Sequence, residues 1–168
     1  MHPGFERHFQ RVIQLEGGFS LHRNPTEEAD TYAGIYRKAF PKWHGWEYID
    51  RGEIPPTELV RKHYYEQFYR HLEGIKNERI RFIIFEFAVN AGLKKAIKIA
   101  QVVVGVVPDG VLGPKTLGAL NSYSEELFIA HYSLARIKHY LDIVNRDPKR
   151  YGVYLRGWLN RVFEGISV

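Results

Sequence analysis

The sequence has no cysteine among its 168 residues. Disulfides and thiolate metal sites are therefore excluded, and the absence of cysteine does not indicate whether the protein works in a reducing or an oxidising compartment. The eight histidines are scattered, and no two of them stand in the His-Glu-x-x-His pattern of helical zinc sites, so we expect no metal and no other cofactor. No apolar run approaches the length that spans a bilayer, so we also expect no transmembrane segment.

The first residues, from Met1 to Arg7, lack the charged stretch and apolar core of a conventional signal peptide. We therefore expect synthesis in the cytoplasm, and export would need outside help. Apolar residues make up 45% of the chain and aromatic residues 14%, which excludes a disordered protein. The net charge of +5 favours an anionic partner, but it does not choose among a cell-wall polymer, a nucleic acid and a membrane face.

Apolar residues recur at helical spacing through most of the chain, whereas no sustained β alternation is present. We predict a mainly α fold, with a small β-like excursion between Ser20 and Tyr36. A helix should open at Pro55, another should end at Gly92, and the last should open at Pro148 and leave Arg161 outside. The longest helix should form the spine of the second half through an inward stripe: Leu127, Ala130, Leu134, Ile137, Leu141 and Val144.

The stretch with the clearest chemistry is Glu16-Gly17-Gly18-Phe19-Ser20. Four apolar residues before it, Phe5, Phe9, Val12 and Ile13, share one helix face, and Glu16 is the next position on that face. The two glycines should stop the helix. Burial and the negative end of the helix dipole would both favour the protonated carboxyl, which suits a general acid for glycosidic bond cleavage. The alternative is a solvated Glu16 at a frayed helix end.

Several ordered motifs together resemble a known enzyme family. Glu16-Gly17-Gly18-Phe19 is followed, after a short loop, by Thr31-Tyr32-Ala33-Gly34-Ile35. Later matching segments are residues 85–92, 109–117 and 156–162. These residues resemble the glycoside hydrolase family 108 lysozymes, bacterial and phage N-acetylmuramidases in which the Glu of the first motif is taken as catalytic.

The resemblance implies a lysozyme-like helical fold and a specific reaction. The expected enzyme is a peptidoglycan hydrolase that cleaves the β-1,4 bond between N-acetylmuramic acid and N-acetylglucosamine, with Glu16 as general acid. Residues 1–92 would form the catalytic region, and residues 93–168 a helical peptidoglycan-binding region packed on it as one compact unit. The partner would be peptidoglycan glycan strands at the cell wall. Phage lysis, secretion and wall remodelling all stay open as settings.

The loop between the two motifs departs from the family pattern. The family usually has an Asp-Pro, another Asp and a Gly-Gly pair before the Thr, whereas this chain has Asn24-Pro25 followed by three acids. The candidates for a second catalytic group are Glu27, Glu28 and Asp30. Thr31 would help to hold the water, by analogy with phage-type lysozymes, or would only satisfy backbone groups in a turn.

Other residues are candidates for substrate contacts. Trp43 offers a flat face for a sugar ring, although core packing is the commoner role for a tryptophan in a small domain. Tyr32 and Tyr36 flank the same motif. The resemblance places Asn90 in the active-site cleft, while the alternative is a structural amide at a helix end. Glu86 replaces the family's usual Asp and is either a further acid or an exposed residue.

Two rival functions remain. The altered loop suggests a catalytically weak or inactive peptidoglycan-binding module. The positive charge suggests a nucleic-acid binder, but we expect no nucleic acid because neither a helix-turn-helix signature nor a dense Arg/Lys groove pattern is present. We expect a monomer, since the longest helix offers only about three heptads for a coiled coil.

Overall fold

The computed structural model describes residues 2–167 and confirms a mainly α-helical fold with a small antiparallel sheet after the first helix. The chain divides into two compact units, one ending at His71 and the other beginning at Leu72. The division of roles between residues 1–92 and 93–168 stays a prediction. Within residues 2–167, no helix is both long and apolar enough to cross a bilayer.

The first unit combines helices with the sheet. Its elements are α1 (Phe5–Leu15), β1 (Leu21–His22), β2 (Thr31–Tyr32), β3 (Ile35–Tyr36), α2 (Gly45–Asp50) and α3 (Thr57–Gln67). A 3-10 turn, Tyr69–Leu72, follows α3. The helix that should open at Pro55 begins at Thr57, just after the two prolines, and α3 buries one stripe of its surface, which includes Val60 and Tyr64.

Helix α1 buries the face that its spacing predicts. Its buried residues are Phe5, His8, Phe9, Val12 and Ile13. The helix ends in a Schellman motif, in which Gly18 N–H donates to the Ile13 carbonyl at 2.9 Å and Gly17 N–H donates to the Gln14 carbonyl at 3.1 Å. Gly17 has φ +83°, a conformation that glycine adopts without strain. Glu16 is therefore the C-cap residue of α1, as the sequence predicts.

The sheet has the order β1-β2-β3 and lies within the predicted excursion. Thr31 pairs with His22 on one side and with Tyr36 on the other, so these three side chains share one face. Strands β2 and β3 are joined by Ala33 and Gly34, whose φ angles are +48° and +76°. Positive φ at both positions is typical of a type I′ hairpin turn.

The second unit is helical. Its elements are α4 (Glu78–Ala91), α5 (Leu93–Val103), α6 (Pro114–Ser122), α7 (Glu125–Arg146), α8 (Pro148–Tyr151), a 3-10 turn (Gly152–Tyr154) and α9 (Leu155–Ile166). Helix α4 ends at Gly92, as predicted, and residues 80–88 are all buried. A helix buried around its whole circumference forms the centre of its unit.

The predicted inward stripe of α7 is wrong. Leu127, Leu134 and Leu141 are 53%, 65% and 41% exposed. The buried residues of this helix are instead Phe128, Ile129, Tyr132, Ser133, Arg136 and Tyr140. The aromatic rings on this face account for the difference, because they bury a larger apolar area than the leucines would. The face also tolerates an arginine because a carboxylate meets it in the interior.

That carboxylate belongs to Glu86, which is 2% exposed. Its Oε2 lies 2.5 Å from Nη2 of Arg136, and its Oε1 accepts a hydrogen bond of 2.8 Å from Nε of Arg161. The expectation that Arg161 stays outside is therefore wrong, and so is the alternative of an exposed Glu86. Burial penalises each of these charges, so the two arginines and the glutamate stabilise the unit only together.

Candidate active site

Glu16 is half-buried at the C-cap of α1, and its side chain lies against the turn between β2 and β3. A Cβ added to Gly34 would stand 2.7 Å from Cγ of Glu16 and 2.9 Å from its Oε2. Real Cβ atoms do not approach other atoms so closely. Glycine at position 34 therefore provides both the positive φ of the turn and the space for the carboxyl group.

Tyr64 borders the same space from α3. Its side chain is 1% exposed, and its hydroxyl donates a hydrogen bond of 2.7 Å to the Ala33 carbonyl. The added Cβ on Gly34 would also contact this hydroxyl. The sequence pattern does not distinguish Tyr64 as a site residue, because Tyr64 fits an apolar helical stripe. A tyrosine hydroxyl needs a polar partner when buried, and this requirement is the signal that distinguishes it from a phenylalanine.

The loop acids differ in their partners. Thr31 is 5% exposed, and its Oγ1 donates to Oε2 of Glu27 at 3.2 Å. Glu28 instead forms an ion pair with Lys38, and this hydrogen bond raises the pKa of the lysine. Asp30 forms an ion pair with Arg23 at 2.8 Å. Glu27 is thus the loop acid that contacts Thr31.

Both candidate groups contact one hairpin. Glu16 lies against Gly34, and Glu27 is bonded to Thr31 three residues earlier. Three residues span at most about 11 Å even when fully extended, so the two contact points are close along this hairpin. Within the described chain, no group of three or more His, Asp or Glu side chains is arranged to hold a metal ion.

The predicted aromatic contacts lie around the sheet. Tyr32 is 4% exposed and stacks on Trp43, with ring centroids 6.0 Å apart and an interplanar angle of 22°. Burial raises the pKa of the Tyr32 hydroxyl. Tyr32 also lines a pocket of about 260 Å³ with Phe19, which follows Glu16 by three residues. Tyr36 is half-buried on the same sheet face as Thr31.

Asn90 belongs to the second unit, at the end of α4. Its Oδ1 accepts a hydrogen bond of 2.6 Å from the Tyr140 hydroxyl. Tyr140 also stacks on Trp158, with ring centroids 4.9 Å apart. This amide therefore connects α4 to α7, and a contact with substrate stays a prediction.

The loop between α5 and α6 is organised by Gln101, which is fully buried. Its Nε2 donates to Oδ1 of Asp109 at 2.8 Å and to the Val111 carbonyl at 3.0 Å. Its Oε1 accepts from the Gly110 N–H at 2.8 Å. One side-chain amide thus replaces the backbone partners that a loop lacks and fixes the Asp-Gly turn.

Comparisons with known proteins agree with these observations. The family model Glycosyl hydrolase 108 matches residues 9–92, which is half of the chain. A second model, described as Predicted Peptidoglycan domain, matches residues 95–163. The solved structure of Brucella abortus SagA superimposes with a TM-score of 0.74 at 24% identity, covering 97% of this chain and 91% of that one, and shows the fold. No curated protein matches the sequence.

Proposed function

The chain belongs to the glycosyl hydrolase 108 family, and on this premise we propose that it is a muramidase. The bond cleaved is the β-1,4 linkage from N-acetylmuramic acid to N-acetylglucosamine in peptidoglycan. Glu16 acts as the general acid. The observation that carries this assignment is the contact of its carboxyl group with Gly34, which holds the acid at the end of a helix and against a rigid two-residue turn.

The reaction divides between two carboxyl groups. Glu16 gives its proton to the glycosidic oxygen as the bond from that oxygen to the anomeric carbon breaks. Glu27, together with Thr31, holds the attacking water. The water oxygen bonds to the anomeric carbon, and its proton passes to Glu27. Support for Glu27 over the other loop acids comes from its hydrogen bond with Thr31, since Glu28 and Asp30 pair with basic residues.

The proposed substrate contacts are the four predicted residues. Tyr32 would contribute through the pocket that it lines beside Phe19, and Tyr36 through the sheet face that it shares with Thr31. Trp43 would stack on a sugar ring, and Asn90 would contact the glycan strand. The protein would act as a monomer at the cell wall, in a lytic role.

The first test measures new reducing ends released from purified peptidoglycan, with products sized by mass spectrometry. Glu16→Gln keeps the shape of the side chain and removes the proton, so we expect a loss of roughly a hundredfold or more. Glu27→Gln should also lose most activity, while the matched controls Glu28→Gln and Asp30→Asn should stay within about threefold of the wild type. Equal activity in wild type and Glu16→Gln would remove Glu16 from the mechanism.

The stereochemistry tests the role of Glu27. A base that activates water for direct attack inverts the anomeric configuration, whereas a carboxylate nucleophile retains it. NMR of the first product formed should therefore show the α anomer. Retention would assign the second carboxyl group a nucleophilic role and contradict water activation by Glu27.

A second candidate function is peptidoglycan binding without cleavage. The observation that favours it is Asn24, which stands where the family usually has the Asp of an Asp-Pro pair. Cosedimentation with peptidoglycan, with no reducing ends from the wild type or any loop variant, would support this candidate and exclude the muramidase.

A further inference from the structure

A pocket of about 500 Å³ lies in the first unit, between the loop that precedes α2 and the helix α3. This volume is in the range of small-molecule binding sites. Of the described residues that we assign to catalysis or substrate contact, Trp43 alone lines it. The pocket is therefore separate from the pocket beside Phe19, and its chemistry can be considered by itself.

Trp43 forms a rigid wall of this pocket. Its ring stacks on Tyr32, and it meets the Trp46 ring edge-on at 5.2 Å. A Cβ at Gly45 would overlap the Trp43 ring, so glycine at that position makes room for it. Trp43 is half-buried and lines the pocket, so the part of the ring that these contacts leave uncovered offers a preformed apolar surface for the C–H face of a pyranose.

His63 adds a polar group to the pocket lining. Its side chain is 7% exposed and packs against the Phe40 ring at a centroid distance of 4.5 Å. Burial lowers the pKa of His63 to about 4, so the neutral ring offers one donor and one acceptor. Such a group would orient a ligand that carries hydroxyl or acetamido groups.

The mouth of the pocket is positively charged. Lys42 and Lys62 both line it and are exposed, while Glu66 provides one opposing carboxylate. Nζ of Lys62 lies 3.9 Å from Oε1 of Glu66, which is a loose ion pair on an exposed helix face. Because the lysines outnumber the acid, one positive charge is left for a ligand carboxylate.

We infer that this pocket binds an N-acetylated sugar that bears a carboxylate, the chemistry of the muramyl residue in peptidoglycan. The sugar ring lies on Trp43, its polar substituents reach His63, and its carboxylate lies between Lys42 and Lys62. The inference rests on the proposed function, because peptidoglycan is the substrate that supplies such a sugar. It adds a glycan-holding site in the catalytic region, apart from the acid that cleaves.

The test titrates the Glu16→Gln protein with single sugars and follows binding by NMR. N-acetylmuramic acid should bind, and N-acetylglucosamine, which lacks the lactyl carboxylate, should bind roughly tenfold more weakly. Muramyl dipeptide tests which carboxylate the pocket recognises, because its lactyl carboxyl group is amidated and its negative charge lies on the peptide. Lys42→Gln and Lys62→Gln should each lower the affinity for N-acetylmuramic acid roughly three- to tenfold. The control Lys76→Gln, at an exposed lysine of the second unit, should leave this affinity unchanged.

Each result bears on the pocket independently of cleavage, because these sugars contain no bond to hydrolyse. Equal affinity for the two monosaccharides, no binding, or equal affinity in all the lysine variants would overturn the inference. Reducing-end release by the wild type without sugar binding would exclude the pocket and keep the muramidase. Sugar binding without reducing-end release would exclude the muramidase and keep the pocket.

Discussion

The Glu16 carboxyl group and Gly34 occupy adjoining space, such that a single Cβ on Gly34 would lie 2.7 Å from Cγ of Glu16. The turn residue thus determines where the acid can lie. This relationship connects two sequence motifs, one at the end of α1 and the other in the sheet, through one contact.

Gly34→Ala should lower activity roughly tenfold or more, because the new methyl group displaces the acid from its position. The positive φ adds about 1–2 kcal/mol of destabilisation. Gly105→Ala is the matched control, since Gly105 has φ +73° and open space around the missing Cβ. It should show the destabilisation and keep the activity. Reducing-end release measures the activity, and urea unfolding measures the stability. Full activity in Gly34→Ala would contradict the close contact.

Glu86→Gln should destabilise the protein by about 3–5 kcal/mol, since it leaves Arg136 and Arg161 buried without their counter-charge. The control Asp142→Asn breaks an exposed pair with Lys138 and should change the free energy of unfolding by less than about 1 kcal/mol. Urea titration provides the comparison. Activity per folded molecule should persist in Glu86→Gln, and a specific loss of catalysis would restore Glu86 as a candidate acid.

Stability should fall as the pH drops from about 6.5 to about 4, because the His63 pKa is lowered to about 4 by burial. Over this range His63 binds a proton in the unfolded chain but not in the folded protein. The resulting loss in the free energy of unfolding reaches about 3 kcal/mol and levels off below pH 4. His63→Phe should reduce this decline, measured by urea unfolding at each pH. The exposed His44→Gln should not, and parallel curves for His63→Phe and wild type would disprove the assignment.

Gln101→Met should destabilise the second unit by about 2–3 kcal/mol, because the thioether cannot replace the hydrogen bonds of the amide with Asp109, Gly110 and Val111. Peptidoglycan retention should fall with it as the loop loses its shape. Gln10→Met is a suitable control, since the exposed Gln10 side chain donates its hydrogen bond to the exposed Glu6 carboxylate. Unchanged melting of Gln101→Met would show that the loop does not depend on this network.

The parts of the fold that sequence predicts well are those with local causes. The end of α1 follows from two glycines after an apolar face, and the position of Glu16 follows from that end. The end of α4 at Gly92 has the same origin. In each case the signal lies within a few residues of the feature.

The parts that sequence does not predict depend on distant partners. The buried face of α7 is one such part, because Arg136 counts as polar in the sequence until Glu86 is known to meet it in the interior. Likewise, the choice among the three loop acids depends on which of Thr31, Lys38 and Arg23 each one meets. The conformation of the loop and of the sheet decides those pairings, and the spacing of residues along the chain does not specify it.

The placement of the three tryptophans also makes the two units separately visible by fluorescence. Trp43 and Trp46 belong to the first unit, whereas Trp158 stacks on Tyr140 in the second. In Trp158→Phe the indole emission comes from the first unit, and in Trp43→Phe/Trp46→Phe it comes from the second. Denaturant curves of these two proteins report whether both halves melt in one transition, so the chain contains its own optical probes of cooperativity.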